Sequence, residues 1–415
     1  MHGLNPHGHT QAAGALLTAP GTAVVSAILV LAVWFSQTGL AMLAGLFLGT
    51  AGLARLWCRL SLAGVQAERR CDCLRSFPGE TLACTLHLAN RKPLPLPWVQ
   101  LEWVLPPEIR PQAPEAETES PGVRRSAALL GYRRMRWDIK LVAARRGVYP
   151  LGPLALRSGD IFGLFTRSRT LNPTGALIVY PRIYPVDIRR IPSLYPMGDF
   201  QTPRRLVQDP ACPIGVRDYQ GSDNLKLIHW KATARGWGLK VKLTAATTAY
   251  QVAIFLDVAS FQADGVLAEE EFELGISAAG SIAASLSGRG GPVGLYVNTR
   301  LADTGLPAEI PPGAGRGRLT DLLEALAKVT ASPGDALLDF VERQQKHLAA
   351  GTTLVFIAGR PAESLPLLLA GLSASGFKTL LITVGENEAP RLADPVRGWH
   401  IRRPEELGFP AESRP

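Results

Sequence analysis

Val252-Ala253-Ile254-Phe255-Leu256 runs straight into Asp257-Val258-Ala259-Ser260-Phe261. Five consecutive apolar residues without alternation suit a strand buried on both faces, as in a parallel sheet covered by helices. Downstream, Glu269 to Leu286 carries apolar side chains at helical spacing (Phe272, Ile276, Ala279, Ile282, Ala283, Leu286). Val293–Val297, Thr353–Ile357 and Thr379–Val384 repeat the strand pattern, while 319–329, 336–348 and 365–372 repeat the helical one. Alternating strand and helix periods predict a doubly wound, mostly parallel α/β sheet over 249–405. Ligands of such sheets bind beyond the carboxyl ends of the strands. Gly288-Arg289-Gly290-Gly291 precedes a strand instead of following one, so it is not a dinucleotide fingerprint. The chain has neither a Walker A lysine nor a G-x-S-x-G elbow. Gly313 to Arg318 is a basic, glycine-rich loop.

Immediately upstream, 186–248 is first Pro-rich and then dense in charge and aromatic residues. Its centre reads Val216-Arg217-Asp218-Tyr219-Gln220-Gly221-Ser222-Asp223-Asn224-Leu225-Lys226-Leu227-Ile228-His229-Trp230-Lys231-Ala232-Thr233-Ala234-Arg235. A turn at 221–223 leads into a short helical segment, then a glycine-broken loop at Gly236 and Gly238 and a strand. Arg217, Lys231 and Arg235 have carboxylate or phosphate as natural partners, and Tyr219 and Trp230 are large amphipathic anchors of the type enriched at interfaces. Two arrangements use these residues: a docking surface for a partner, or a lock between domains in which the cations pair with Asp218 and Asp223. A hydrolase using His229 and Asp223 is the alternative of another class. The spacing, however, assigns His229 no nucleophile.

From 65 to 185 the period is two. Leu82, Cys84, Leu86 and Leu88 alternate with Ala83, Thr85 and His87; Val99, Leu101, Trp103 and Leu105 repeat the pattern, as do Met135, Trp137, Ile139 and Leu141. Each set lines one face of a half-buried strand, and the intervening Pro/Gly turns predict a β-sandwich-like domain. Residues 106–125 read as a long solvated loop.

The first 60 residues form a membrane anchor in this reading. No charge interrupts Ala12 to Phe35, and after Ser36-Gln37-Thr38 a second apolar run extends from Gly39 to Ala54. Crossing a bilayer core takes ~20 helical residues, so transmembrane helices are expected at about 13–35 and 39–57, with Trp34 and Trp57 at the interfaces. A cleaved signal peptide fits poorly, because no Lys or Arg precedes Ala12 and a second apolar run follows. Arg55, Arg59, Arg69, Arg70 and Arg75 follow the second helix, whereas the link is uncharged. The positive-inside rule then puts both termini in the cytoplasm of a multi-pass inner-membrane protein. The five cysteines are odd in number and thinly spread, unlike a disulfide framework. Cys71-Asp72-Cys73 with Cys84 lacks the second pair of a zinc site. With 44 Lys+Arg against 35 Asp+Glu among 415 residues the formal charge is +9, which suits anionic headgroups better than nucleic acid. An apolar content of 47% with 19% charged residues excludes a disordered or collagen-like chain.

The stretch 217–235 closely resembles the signature of the bacterial domain-of-unknown-function-58 family, R-x-Y-x-x-G-D-x-x-R-x-I-H/D-W-K/R-A-S/T-A-R. Arg217, Tyr219, Asp223, Ile228, His229, Trp230, Lys231, Ala232, Thr233, Ala234 and Arg235 fall on its fixed positions, while Ser222 and Lys226 depart from it. The resemblance implies two membrane helices, a β-rich middle and a von Willebrand A-like α/β domain. It also implies MoxR-type AAA+ ATPases and transglutaminase-like membrane proteins as partners, and it brings no established reaction. Mg²⁺-binding von Willebrand A domains use Asp-x-Ser-x-Ser after the first strand, since a hard cation takes oxygen ligands. Here Asp257 remains, but Ala259 and Phe261 stand at the hydroxyl positions, so a degenerate site without metal is expected. Taken together, the sequence predicts a multi-domain, membrane-anchored adaptor or assembly factor without cofactor, presenting its α/β domain to protein partners.

Overall fold

The computed structural model describes residues 10–12, 17–112, 122–192, 208–220, 228–236, 238–246, 251–263, 266–332, 334–349, 351–387 and 390–408. The chain divides between Arg182 and Ile183 into two compact units.

The first unit opens with two helices, α1 (Ala19–Trp34) and α2 (Thr38–Ser61). They are joined by a tight turn in which Ser36 adopts φ 55° and the Gln37 N–H donates to Ala32 O at 2.8 Å. The helix expected from residue 13 starts at Ala19 instead, with Pro20 in its first turn, where the missing N–H would have no partner anyway. With 24 residues, α2 is the one helix among those described that is long and apolar enough to cross a membrane. The 16 residues of α1 rise ~24 Å, less than the ~30 Å of a hydrocarbon core. Ala51, Ala54 and Cys58 of α2 are buried with Leu17 and Phe165. Just beyond its end, the Lys92 ammonium donates to Ser61 O and, at 2.8 Å, to Ala63 O, satisfying carbonyls that have no partner inside the helix.

The β-rich part contains a four-stranded antiparallel sheet in the order 65–71, 81–90, 134–143, 109–111, and a five-stranded sheet in the order 10–12, 165–171, 154–159, 96–104, 122–129. Both contribute to one core. Leu82, Cys84, Leu86 and Leu88 meet Val99, Leu101, Trp103, Leu154 and Leu156, all at or below 5% exposure. The period-two sets therefore point inward, each fully buried Leu adding ~1.5–3 kcal/mol of transfer free energy. Two expectations change here. The segment 106–125 is not all loop, since Ile109–Pro111 and Gly122–Leu129 are strands. Cys71 lies directly opposite Cys84 in the register of strands 65–71 and 81–90, and the two form a disulfide. Their 13-residue separation in sequence carries no cue to that pairing.

The second unit holds a two-stranded antiparallel hairpin, Gln208–Asp218 with Lys240–Ala246, and between its strands a one-turn helix, α3 (Trp230–Thr233). Then follows a six-stranded sheet in the order 307–313, 293–300, 252–256, 353–358, 378–384, 397–401. All neighbours are parallel except the 293–300 and 307–313 pair. The helices α4 (Glu269–Ser287), α5 (Arg318–Lys328), α6 (Leu337–Gln345) and α7 (Leu365–Ala374) cover both faces. Val252, Ile254 and Leu256 pack in one cluster with α4 and α5, whereas Ala253 and Phe255 pack in another with α6 and α7. This two-sided burial explains why the strand carries no polar residue. Three acidic residues, Glu269 to Glu271, occupy the first turn of α4, where the helix dipole favours negative charge. The sequence reading omitted both edge strands. One of them, Pro307–Gly313, holds three prolines, which an edge position tolerates because one side of its backbone has no ladder to complete.

Candidate functional site: a cationic hairpin pocket

The signature segment folds around the hairpin. Ile228 forms a bridge with Val241, and both side chains are buried, fixing the approach to α3. The backbone then binds α3 to the return strand: His229 N–H donates to Lys240 O at 2.8 Å, and Lys240 N–H donates to Thr233 Oγ1 at 3.0 Å. Gly238, at φ +89°, supplies the left-handed turn between them. His229 is the N-cap of α3, its Nδ1 accepting the Ala232 N–H at 3.0 Å.

That hydrogen bond settles the chemistry of the imidazole. Nδ1 uses its lone pair as the acceptor, so in the neutral ring the proton sits on Nε2. His229 therefore offers its outward nitrogen as a donor, whereas a general base needs a free lone pair there.

His229, Lys231, Ala232, Arg235, Val216 and Lys240 line an open cavity of about 460 Å³. Lys240 is held at its rim by Asp218, Nζ to Oδ1 2.5 Å. Arg217 is half-buried on the outgoing strand and donates to Asp218 O at 3.0 Å, while the Tyr219 N–H donates to Leu239 O. Trp230, between His229 and Lys231 in sequence, is 68% exposed. The structure thus brings His229, Lys231 and Arg235 together, with Trp230 next to two of them in sequence, Arg217 on the neighbouring strand and Tyr219 just past its end. Asp223, with Ser222 and Lys226, lies outside the described residues. Lys240 was the functional contributor overlooked in the sequence. The only signal for it was its place directly across the hairpin from Asp218.

A second place of interest is the carboxyl end of the central strand, where the sheet order changes direction. Asp257, 8% exposed, accepts from Asn298 Nδ2 at 2.8 Å through Oδ1. Burial raises its carboxyl above the ordinary range, partly offset by the Asn298 amide and by the backbone N–H groups of Ser260 and Ala259. Asn298 Oδ1 in turn accepts from Val258 N–H at 2.9 Å. Ser260 Oγ donates to Asp257 O at 2.6 Å and accepts from Gly359 N–H at 3.0 Å. Phe261 is 1% exposed, its ring edge-on to Phe272 at 5.8 Å. The hydroxyl position that a Mg²⁺ site would need is thus occupied by a core side chain. An amide nitrogen sits on the one remaining carboxylate. Among the described residues no three His, Cys, Asp or Glu side chains converge as metal ligands.

Residues 215–356 match the family described as "Protein of unknown function DUF58". The chain is 25% identical over 257 residues to the uncharacterized protein YeaD of Bacillus subtilis (strain 168), covering 59% of this chain and 58% of that relative's length. Among solved structures, an aerotolerance-related membrane protein of Bacteroides fragilis NCTC 9343 aligns at 17% identity and TM-score 0.25, over 35% of this chain and 73% of that one. Native alpha-2-macroglobulin of Escherichia coli, from domain MG7 to its C-terminus, aligns at 17% identity and TM-score 0.21, over 28% of this chain and 24% of that one.

Proposed function

Since residues 215–356 place this chain in the domain-of-unknown-function-58 family, we propose that it is a membrane-anchored, non-catalytic adaptor or assembly factor. In this proposal its α/β unit is a von Willebrand A-like domain, a reading supported by the mostly parallel six-stranded sheet with helices on both faces, held at the bilayer and offered to protein partners. The observation that carries this reading is the exposure of the signature: Trp230 is 68% exposed, and Lys231 and Arg235 stand open beside it. An exposed indole among cations is the composition of a binding hot spot. The occupied Nδ1 of His229 supports docking over hydrolysis, since it removes the base that the hydrolase alternative requires.

In this proposal α2 and the shorter α1 form a hairpin in the inner membrane, and both termini face the cytoplasm. Support comes from Arg55 and Arg59 at the end of α2, with Arg69, Arg70 and Arg75 after it, against an uncharged turn at 35–37. The partners expected from the family resemblance are a MoxR-type AAA+ ATPase and a transglutaminase-like membrane protein.

The test is co-purification of the tagged full chain from its native membrane in mild detergent. The ATPase should be recovered with the wild type and lost with Trp230→Ala, while the thermal midpoint of the two proteins stays within ~2 °C, as expected of an exposed substitution. Absence of the ATPase from the wild-type eluate, or its retention by Trp230→Ala, overturns the reading.

A further inference from the structure

The polar side chains around the hairpin cavity have one property in common: each presents hydrogen to it. Lys231, Arg235 and Lys240 carry only donors, and His229, with Nδ1 committed to the backbone, is left with Nε2–H. Their charges do not cancel. Lys240 is paired with Asp218, but the side chains of Lys231 and Arg235 make no hydrogen bond or ion pair with any described residue. The lining therefore keeps a surplus of two positive charges. A neutral or cationic ligand leaves those donors unmatched, whereas an acceptor-only group with two negative charges matches them.

Exposed apolar residues adjoin this lining in sequence: Val216, itself part of it, is 46% exposed, Trp230 at the start of α3 68%, and Leu239 just before the return strand 41%. Single-stranded nucleic acid is gripped by cations strung along a track. Here the unpaired cations are gathered in one pocket that Val216 also lines, and the exposed Trp230 lies between two of its lining residues in sequence, a mixture of charge and apolar surface that suits a protein interface. We infer that the partner segment received by this pocket is an acidic polypeptide stretch. It would place two carboxylates on Lys231, Arg235 and the His229 Nε2–H, and an apolar side chain against Trp230. This inference rests on the docking reading above and names the chemistry of the partner at that site.

The probe is a short dye-labelled peptide in which Glu-Asp pairs alternate with Leu, compared with its Gln-Asn analogue. Binding to the full chain in detergent is followed by fluorescence anisotropy. The acidic peptide should bind at least ~10-fold more tightly than the amide analogue, and raised salt should remove most of the difference. Lys231→Gln and Arg235→Gln should each weaken it about fivefold, the upper range for one partly exposed charge contact. Both positions are exposed and their side chains make no hydrogen bond or ion pair with a described residue, and an unchanged thermal midpoint verifies that the variants are folded. Equal affinity for the acidic and amide peptides overturns the inference. So does displacement of the peptide by inorganic phosphate at concentrations where acetate has no effect, and so does tighter binding of anionic vesicles or an oligothymidylate than of the peptide. If the ATPase still depends on Trp230 while both peptides bind equally, the acidic partner is refuted and docking stands. If charge-dependent peptide binding persists while Trp230→Ala retains the ATPase, the docking reading fails alone.

Discussion

Phe261 gives the second unit a perturbation whose sign depends on its background. Its ring is wedged between two glycines. A Cβ on Gly275 of α4 would meet the ring Cζ at 2.5 Å, and one on Gly359 would meet Cδ1 at 2.7 Å. The three nearest obstacles at Gly275 are all atoms of that ring. Phe261→Ala removes a fully buried aromatic side chain and should cost ~3–5 kcal/mol. For a unit of this size that lowers the midpoint by ~6–20 °C. Gly275→Ala alone gains ~1 kcal/mol of helix propensity but overpacks a ring that cannot retreat, at ~1–3 kcal/mol. The net effect is neutral to destabilising. With Phe261→Ala already in place, the obstacle is absent. The same substitution then keeps its propensity gain and buries one methyl, worth ~0.8 kcal/mol, so it should raise the midpoint. The expected coupling is ~2–4 kcal/mol, read from thermal unfolding of the detergent-solubilised full chain and its three variants. Additivity within ~0.5 kcal/mol, the range for independent sites, would refute the packing argument. It would equally refute the view that Phe261 is core and not a vestige of a ligand position. Phe261→Ser, which restores one hydroxyl, should unfold no higher than Phe261→Ala and with the same midpoint in millimolar Mg²⁺ as in chelator.

Two further expectations concern the first unit. Burial pushes the Lys92 ammonium down to about 8, below the ~10.4 of an unfolded chain. Between those values the unfolded state binds more protons than the folded one, so stability should rise as pH goes from about 8 to about 10. Partial solvent access reduces the size of the effect. Thermal midpoints across that range should show the rise in wild type and a flat profile in Lys92→Met; a falling wild-type profile contradicts the argument. Orientation can be read from the exposed thiol of Cys73. If the soluble units face the cytoplasm, a membrane-impermeant maleimide should leave Cys73 unlabelled in intact spheroplasts and label it after permeabilisation. Labelling of intact cells with the Cys71–Cys84 disulfide preserved would reverse the proposed topology, because disulfides persist in oxidising compartments.

What could be read in advance followed periodicity. Strand 252–256 is five apolar residues in a row because it is sheathed on both faces, and strand 81–90 alternates because one face is wet. What escaped depended on pairing partners. Nothing local in Arg397-Gly398-Trp399-His400-Ile401 marks an edge strand, and Cys71 is joined to Cys84 only through the register of two strands. At the candidate site the residue types Arg217, His229, Trp230, Lys231 and Arg235 were legible from the motif. The direction of the His229 ring was not, since a side chain's hydrogen-bond partner three residues on is a property of the turn and not of composition. Nothing in the sequence marks Asn298, on a different strand, as the amide that meets Asp257.

Those two side-chain orientations bear on function in the same direction. A reaction requires some atom whose proton or lone pair is available to change hands. At the end of the central strand the Asp257 carboxylate receives an amide, the Ser260 hydroxyl both donates and accepts within the fold, and Asn298 uses its oxygen and its nitrogen. These groups are engaged in holding one another. In the hairpin pocket the described polar lining side chains present donors, and in the proposed docking role they would hold negative charge. A surface of this kind gains selectivity from what it leaves unmatched: a partner lacking carboxylates strands two cations among apolar side chains, and that penalty rejects it. Discrimination by charge, with Trp230 supplying contact area, is the work that the proposed docking role assigns to this site. It also explains why the signature concentrates its cations within one turn of helix and the two strands that frame it.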